Sequence, residues 1–321
     1  MEQTISTHIH LAPILFWSLM GTPMTPQNLL DNPLTTEKCT VGCPIIDRCL
    51  GGGIPCNSIT ELVAESGSGK TQFCLQLTLS AQLPSSHGGL SASSLYLHTE
   101  FPFPMRRLHQ LSHTFRPSND HNPCDYVFVQ SVHSVDQLLD IMPKIESFIK
   151  NSSNSRLPIR LIVIDSIAAL FRSDFDNTMD DLKKRSFLFF KISGMLKAMA
   201  VGFGLAVLVT NQVVDLMEPN EGVNGLRVGN LGCLYSSGRP ICPALGIAWA
   251  NCVNSRLFLS RNEDFVVREN QMVNGGVGGS GSEDFVCRRT RRSLHVVFAP
   301  HLADTSCEFE ITREGVFGFE R

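Results

Sequence analysis

The run AESGSGKT at 64–71 constrains this chain more than any other stretch. It ends the strand-like run SITELVAE (58–65) and opens GSGKTQFCLQLTLSAQL (67–83), which reads as a loop leading into a helix. The pattern G-x-x-x-x-G-K-[ST] is met except that Ala64 stands in the first glycine place. Gly67 and Gly69 let the backbone curl so that successive N–H groups face one point. A helix beginning near Lys70 adds the positive end of its dipole. The result is a phosphate cradle, expected to take in Glu65, Ser66, Gly67, Ser68, Gly69, Lys70, Thr71 and Gln72. Lys70 is expected to reach the β- and γ-phosphates and Thr71 to hold Mg2+ by its hydroxyl. ATP and Mg2+ are the cofactors this loop calls for.

Around the loop, strand-like and helical runs alternate. SSLYLHTE (93–100), DYVFVQSV (125–132), RLIVIDSI (160–167) and LAVLVTNQVV (205–214) read as strands. VDQLLDIMPKIESFIK (135–150) and LKKRSFLFFKISGMLKAMAVGF (182–203) read as helices, the first with a proline to accommodate. CPIIDRCL (43–50) is a short helix that GGG (51–53) stops. The strands are continuous apolar runs, which predicts a mainly parallel sheet covered by helices on both faces. After Asp215 regularity fades, and 216–243 is rich in Gly, Asn and Pro. ALGIAWANCVNSRLFLSR (244–261) resumes as helix then strand. Residues 262–290 hold VNGGVGGSGSED and predict a flexible insertion. RRSLHVVFAP (291–300) and SCEFEITREGVFGFE (306–320) predict a closing β-hairpin. The expected organisation is an extended, poorly ordered lead-in over 1–34, with Met24 as an alternative start, and one α/β domain over 35–321.

Two carboxylates complete the chemistry. Asp165 ends a buried strand and is delivered to the sheet edge where the loop lies, placed to hold Mg2+. Glu100 closes SSLYLHTE and is placed to orient and deprotonate an attacking water. Gln212, in the strand-end run VTNQ, is placed to hydrogen-bond the γ-phosphate and report it to the loop that follows. For Arg106 and Arg107 two readings stand: one guanidinium packs on the adenine, or both are surface charges.

Composition narrows the partners. The net charge is −3 with 18% charged residues, so nucleic-acid contact must come from local patches. RRTRR (288–292) is the densest basic run, and DNA contact, a solvated loop and a nuclear-import signal all fit it. The 11 cysteines form no C-x-x-C pair, so they read as free thiols of a reducing compartment, with a metal on Cys39, Cys43, Cys49 and Cys56 as the alternative. LAPILFWSLM (11–20) is too short to span a bilayer, and no membrane role is expected.

Taken together, ITELVAESGSGKTQ, LYLHTE, LIVIDS and VTNQV resemble the ATPase core of the RecA-like recombinases of eukaryotes and archaea. HGGL (87–90), LHTEFPFPMRRLHQL (97–111), DSIAALFRSDFD (165–176), PALGIAWANCVNSRLFL (243–259) and VFAPHL (297–302) are similar to a recombinase paralogue of the X-ray-repair cross-complementing type, in its plant form. The resemblance runs from about Thr35 to Gly315. It implies a RecA-type P-loop core and an ATP-binding subunit acting in the nucleus, also in the cytoplasm, in homologous recombination repair of double-strand breaks and in crossover-intermediate processing. It implies weak, DNA-dependent ATP hydrolysis, a heterodimer with another paralogue, and work with the main recombinase on single-stranded or branched DNA. It also implies that Gln212 couples nucleotide to the DNA-binding run 216–243, where Arg227 and Arg239 are the DNA candidates. Arg172 and Arg185 flank the other DNA-facing loop, and Pro300 matches a position that touches a neighbouring subunit's nucleotide. Residues 1–34 hold neither a helical DNA-binding domain nor a Phe-x-x-Ala motif, so long homopolymeric filaments are not expected. Two other functions compete: an ATP-gated scaffold with little hydrolysis or DNA contact, and another RecA-fold ATPase.

Overall fold

The computed structural model describes residues 36–115, 122–172, 178–216, 234–268 and 285–320, with backbone alone for 264–268 and 285–289. Internal contacts separate Met1–Thr36 from Glu37–Arg321, and the second unit holds every element below. The lead-in expected over 1–34 lies outside the described residues.

Fourteen strands are described: β1 (Lys38–Cys39), β2 (Ile54–Pro55), β3 (Ser58–Ala64), β4 (Ser93–His98), β5 (Val127–Ser131), β6 (Ile159–Asp165), β7 (Ala206–Asn211), β8 (Val213–Asp215), β9 (Leu234–Ser236), β10 (Arg239–Pro243), β11 (Ser255–Arg268), β12 (Phe285–Phe298), β13 (Ser306–Ile311) and β14 (Val316–Phe319). The helices are α1 (Pro44–Cys49), α2 (Lys70–Ser80), α3 (Met105–Ser112), α4 (Val135–Ser152), α5 (Ile167–Leu170), α6 (Met179–Phe203) and α7 (Gly246–Ala250).

Nine strands form one sheet in the order β14-β13-β12-β11-β3-β7-β6-β4-β5. From β11 to β5 every neighbour pair is parallel, and β11 through β14 run antiparallel as a meander. The expected α/β core is therefore present, a mainly parallel sheet with antiparallel strands at its C-terminal side. Alternate residues of each strand feed different cores. Leu161 and Val163 face one layer with α1, α2 and α3, while Ile162 and Ile164 face the other with α4, α6 and α7.

The helices follow from their sequences. In α2 every residue from Phe73 to Ser80 is buried, with Gln76, Thr78 and Ser80 among them satisfied by hydrogen bonds to backbone carbonyls. In α4 the buried residues Val135, Leu138, Met142, Ile145 and Ile149 recur at helical spacing, and Ser134 caps it by accepting from the Gln137 N–H at 3.1 Å. Its Pro143 is accommodated inside the helix. Thr178 caps α6, accepting from the Asp181 N–H at 3.2 Å and donating to Asp181 Oδ2 at 2.6 Å. By length and composition α6 could cross a bilayer. One face, with Leu188, Phe189, Ile192, Leu196, Met199 and Ala200, packs on the sheet, while Phe187, Phe190 and Val201 are exposed.

Three expectations are revised. The run 216–243 holds β9 and β10, and β10 pairs with β9 on one side and β8 on the other in a three-stranded antiparallel sheet. The signal is Ser237-Gly238, a two-residue turn with both residues in the left-handed region at φ 52° and 76°. The insertion expected over 262–290 is shorter on the backbone, because the β11–β12 ladder continues from Asn262↔Arg291 to Arg268↔Phe285. DFVV (264–267) and FVC (285–287) are β-forming runs on either side of the glycine-rich part, so RRTRR lies in a strand rather than beside a loop. Finally, 306–320 is two strands, so the closing unit is a meander larger than a hairpin.

Candidate functional site

The phosphate loop lies between β3 and α2, at the carboxyl edge of the parallel strands. Gly67 and Gly69 are in the left-handed region at φ 78° and 108°, as the loop requires. It is the φ of 108° at Gly69 that calls for glycine, since a Cβ there would meet only the movable tip of Ile311, at 2.6 Å. In the middle of the cradle the Ser68 hydroxyl is buried and has no hydrogen-bond partner. Lys70 folds over the loop and donates to the Ala64 and Glu65 carbonyls at 2.7 and 3.0 Å. Burial pulls its ammonium below the ordinary lysine range, while Asp165 and Glu100 work to keep the proton on.

Asp165 ends β6 beside this loop. Its Oδ2 accepts from the Thr71 hydroxyl at 2.7 Å and from the Tyr96 hydroxyl at 2.7 Å, and its Oδ1 accepts from the Thr210 hydroxyl at 2.7 Å. Thr71 and Asp165 thus converge, a hard-oxygen donor pair that suits Mg2+. Buried Tyr96 has its phenol proton held firmly, by burial first and then by the neighbouring Asp165 charge. A cavity of about 210 Å³ opens here, lined by Thr71, Tyr96, His98, Glu100, Phe101, Pro102, Pro104 and Asp165.

Glu100 lies two residues beyond the end of β4, because the strand stops at His98. Gln212 follows β7, and its Nε2 donates to both carboxylate oxygens of Glu100 at 2.9 Å. Arg172 adds an ion pair to Glu100 at 3.7 Å. Lys70, Thr71, Asp165, Glu100, Gln212 and Arg172 therefore gather at one edge of the sheet.

Other sequence candidates fall elsewhere. Arg107 is fixed by Gln72 Oε1 at 2.6 Å and by the carbonyls of Thr312 and Arg313 at 2.7 and 2.8 Å. Arg106 is exposed and lines a separate open groove with Arg107, His109, Gln110, His113 and Arg313. The Arg185 guanidinium donates to the Ala244 carbonyl at 3.3 Å and stacks on Phe189 at 5.2 Å, half-buried rather than free. Arg239 pairs with Asp215 at 2.9 Å and Glu65 at 3.3 Å. Arg227 lies outside the described residues. Pro300 is exposed on the turn after β12. Cys39, Cys43, Cys49 and Cys56 are free and buried, and no group able to hold a metal occurs among the described residues.

Sequence reasoning missed Tyr96, Thr210 and the pair beneath the site. Arg256 Nε donates to Glu61 Oε2 at 2.5 Å, and Asn211 Nδ2 donates to Glu61 Oε1 at 2.7 Å, all fully buried. The available signal was polar residues inside otherwise apolar strands: Glu61 in SITELVA and Thr210-Asn211 in AVLVTN.

Comparison with known proteins adds the following. A family profile described as Rad51 matches residues 35–225. The chain is 59% identical over 298 residues to the "DNA repair protein XRCC3 homolog" of Arabidopsis thaliana, covering 91% of this chain and 96% of that one. It is 34% identical over 295 residues to the "DNA repair protein XRCC3" of Mus musculus, covering 89% and 76%. It is 33% identical over 211 residues to the "DNA repair and recombination protein RadA" of Aeropyrum pernix, covering 64% of each chain.

Proposed function

The chain belongs to the Rad51 family, on its XRCC3 branch, and from this premise we propose that it is an ATP-binding subunit of a recombinase-paralogue complex in homologous recombination repair. One observation carries the reading. Thr71, from the phosphate loop, and Asp165, from a strand 94 residues away, meet at 2.7 Å beside Lys70. A phosphate cradle and a metal-binding pair are thereby assembled in one place.

The residues present fit Mg·ATP: the left-handed glycines open the cradle, the Ser68 hydroxyl is buried without a partner, and the Thr71–Asp165 oxygens are of the right class. Lys70 and the loop N–H groups hold the phosphates, and Thr71 and Asp165 hold Mg2+. Bound Mg2+ supplies neutralisation of phosphate charge. Tyr96 and Thr210 fix the Asp165 carboxylate in one orientation, as outer-shell donors do for a ligating carboxylate. Glu100 is the base that orients water and accepts its proton. Gln212 holds both Glu100 oxygens, so in this state the base is restrained, and hydrolysis requires that bond to open. That restraint accords with weak hydrolysis. Gln212 leads directly into β8 and the run 217–233, the path by which nucleotide state reaches the DNA-facing segment. A nuclear site of action, a paralogue partner and single-stranded or branched DNA complete the proposal, and they rest on the repair relatives.

An ATP-gated scaffold is the second reading, favoured by the same Glu100–Gln212 restraint. The test is nucleotide and single-stranded DNA binding by the purified chain, alone and with a paralogue partner, for wild type and Lys70→Ala. The repair-subunit reading expects ATP binding that Lys70→Ala weakens roughly 10- to 150-fold, and DNA binding that appears or tightens with the partner. ATP binding with no DNA binding under low salt with any partner favours the scaffold.

A further inference from the structure

Glu65 is the second residue of the phosphate loop, yet its side chain turns away from the cradle. It is buried and accepts from the Ser236 hydroxyl at 2.7 Å, from the Ser237 hydroxyl, and from Arg239 Nη2 at 3.3 Å. Burial works against its charge, and the donations from Ser237, Ser236 and Arg239 outweigh that, so its carboxyl lies below the usual glutamate range. All three donors come from the β9–β10 turn and its flanks. Ser237 holds a left-handed φ of 52°, which a non-glycine residue keeps only where its surroundings hold it. Its N–H donates to the Arg261 carbonyl at 2.6 Å, and Ser236 Oγ accepts from the Arg261 N–H at 2.9 Å. Arg261 in turn reaches the loop, since a Cβ on Gly67 would lie 2.7 Å from its Nη1. Loop, turn and β11 thus interlock.

Arg239 extends the link. Its Nη1 holds Asp215 at 2.9 Å, and Asp215 is the last residue of β8, paired with Ile241 of β10. The chain passes from Asp215 through Leu216 into the run 217–233 and leaves it into β9. Both flanks of that run are therefore tied to Glu65, the β8 flank through Arg239 and the β9 flank through the Ser236 hydroxyl. The arginine is half exposed, with two carboxylates to share, so a phosphate oxygen arriving from solvent competes for it directly.

We propose that Glu65 is a positioning residue, the anchor of a latch made with Ser236, Ser237 and Arg239. The latch couples the nucleotide site to the β9–β10 turn, and a nucleic-acid phosphate that captures Arg239 releases it. This route is separate from the Glu100–Gln212 contact and rests on the nucleotide-binding reading above. Because coupling is reciprocal, nucleotide changes affinity for nucleic acid by the factor that nucleic acid changes affinity for nucleotide.

The test is hydrogen exchange on the full-length chain with and without a non-hydrolysable ATP analogue and Mg2+. Ser237→Gly removes one donor while favouring the left-handed turn, and Ser236→Ala removes the other. In wild type the analogue is expected to slow exchange severalfold in both 70–80 and 234–243. In each variant 70–80 stays protected and the protection of 234–243 falls to less than half. Persistence of that protection in both variants overturns the latch, as does its absence from wild type while 70–80 is protected. No protection of 70–80 in wild type overturns the nucleotide-binding reading itself, and the latch with it. A single-stranded oligonucleotide added to the same samples is expected to shift analogue affinity about five- to tenfold in wild type. In Ser237→Gly and Arg239→Ala that shift is expected to shrink below about twofold. Equal shifts in all three proteins, or none in wild type, overturn the role of Arg239.

Discussion

Asp165 accepts from three hydroxyls through both of its oxygens, and as a carboxylate it also offers Mg2+ a charged oxygen, whereas an asparagine has one oxygen and no charge. Asp165→Asn is therefore expected to remove Mg2+ dependence from nucleotide binding, read as equal affinities with Mg2+ and with EDTA. Lys70→Ala deletes a charged donor to phosphate, a loss of about 1.5–3 kcal/mol, or roughly 10- to 150-fold in nucleotide affinity by calorimetry. Lys70, Thr71 and Asp165 were legible in the sequence because a local motif and a strand-end rule name them. Tyr96 and Thr210 were not, since they reach Asp165 across 69 and 45 residues through strand register, which no local pattern encodes. Glu65 was legible as part of the loop, but the direction of its side chain depends on a turn 171 residues away.

At the scale of elements, the buried Arg256–Glu61 pair ties β11 to β3, and its side chains are no more than 1% exposed. Removing one partner of such a pair strands the other, so Arg256→Met is expected to cost about 3–5 kcal/mol in urea unfolding. The double change Arg256→Met with Glu61→Leu should recover much of that. Loss of the α6 cap in Thr178→Ala is expected to cost about 1 kcal/mol in the same assay. Most helices and parallel strands could be read from apolar spacing. The β9–β10 hairpin and the outer halves of β11 and β12 could not, because β9 and β10 are short and because DFVV and FVC, though β-forming, flank a glycine-rich stretch that dominates the composition. Pairing with β8 in one case and with each other in the second fixes as strands what short runs leave undecided.

For the whole molecule, the phosphate loop sits where β3, β6 and β7 end together, so a ligand there bears on the centre of the nine-stranded sheet. Mg·ATP at 100 times its Kd should stabilise the chain by about 2.7 kcal/mol, visible as a raised Tm that is about half as large or less in Lys70→Ala. A Rad51 profile matches residues 35–225 of this mainly parallel α/β domain, and the relatives are named for DNA repair. The claim that unites site and family is that nucleotide held at Lys70 serves recombination repair. Its most direct test is repair of induced double-strand breaks in Arabidopsis lacking the 59%-identical relative, supplied with wild type or Lys70→Ala at equal protein level. Restoration by wild type and failure of Lys70→Ala is the expected result. Equal restoration by both, or by neither, would contradict it.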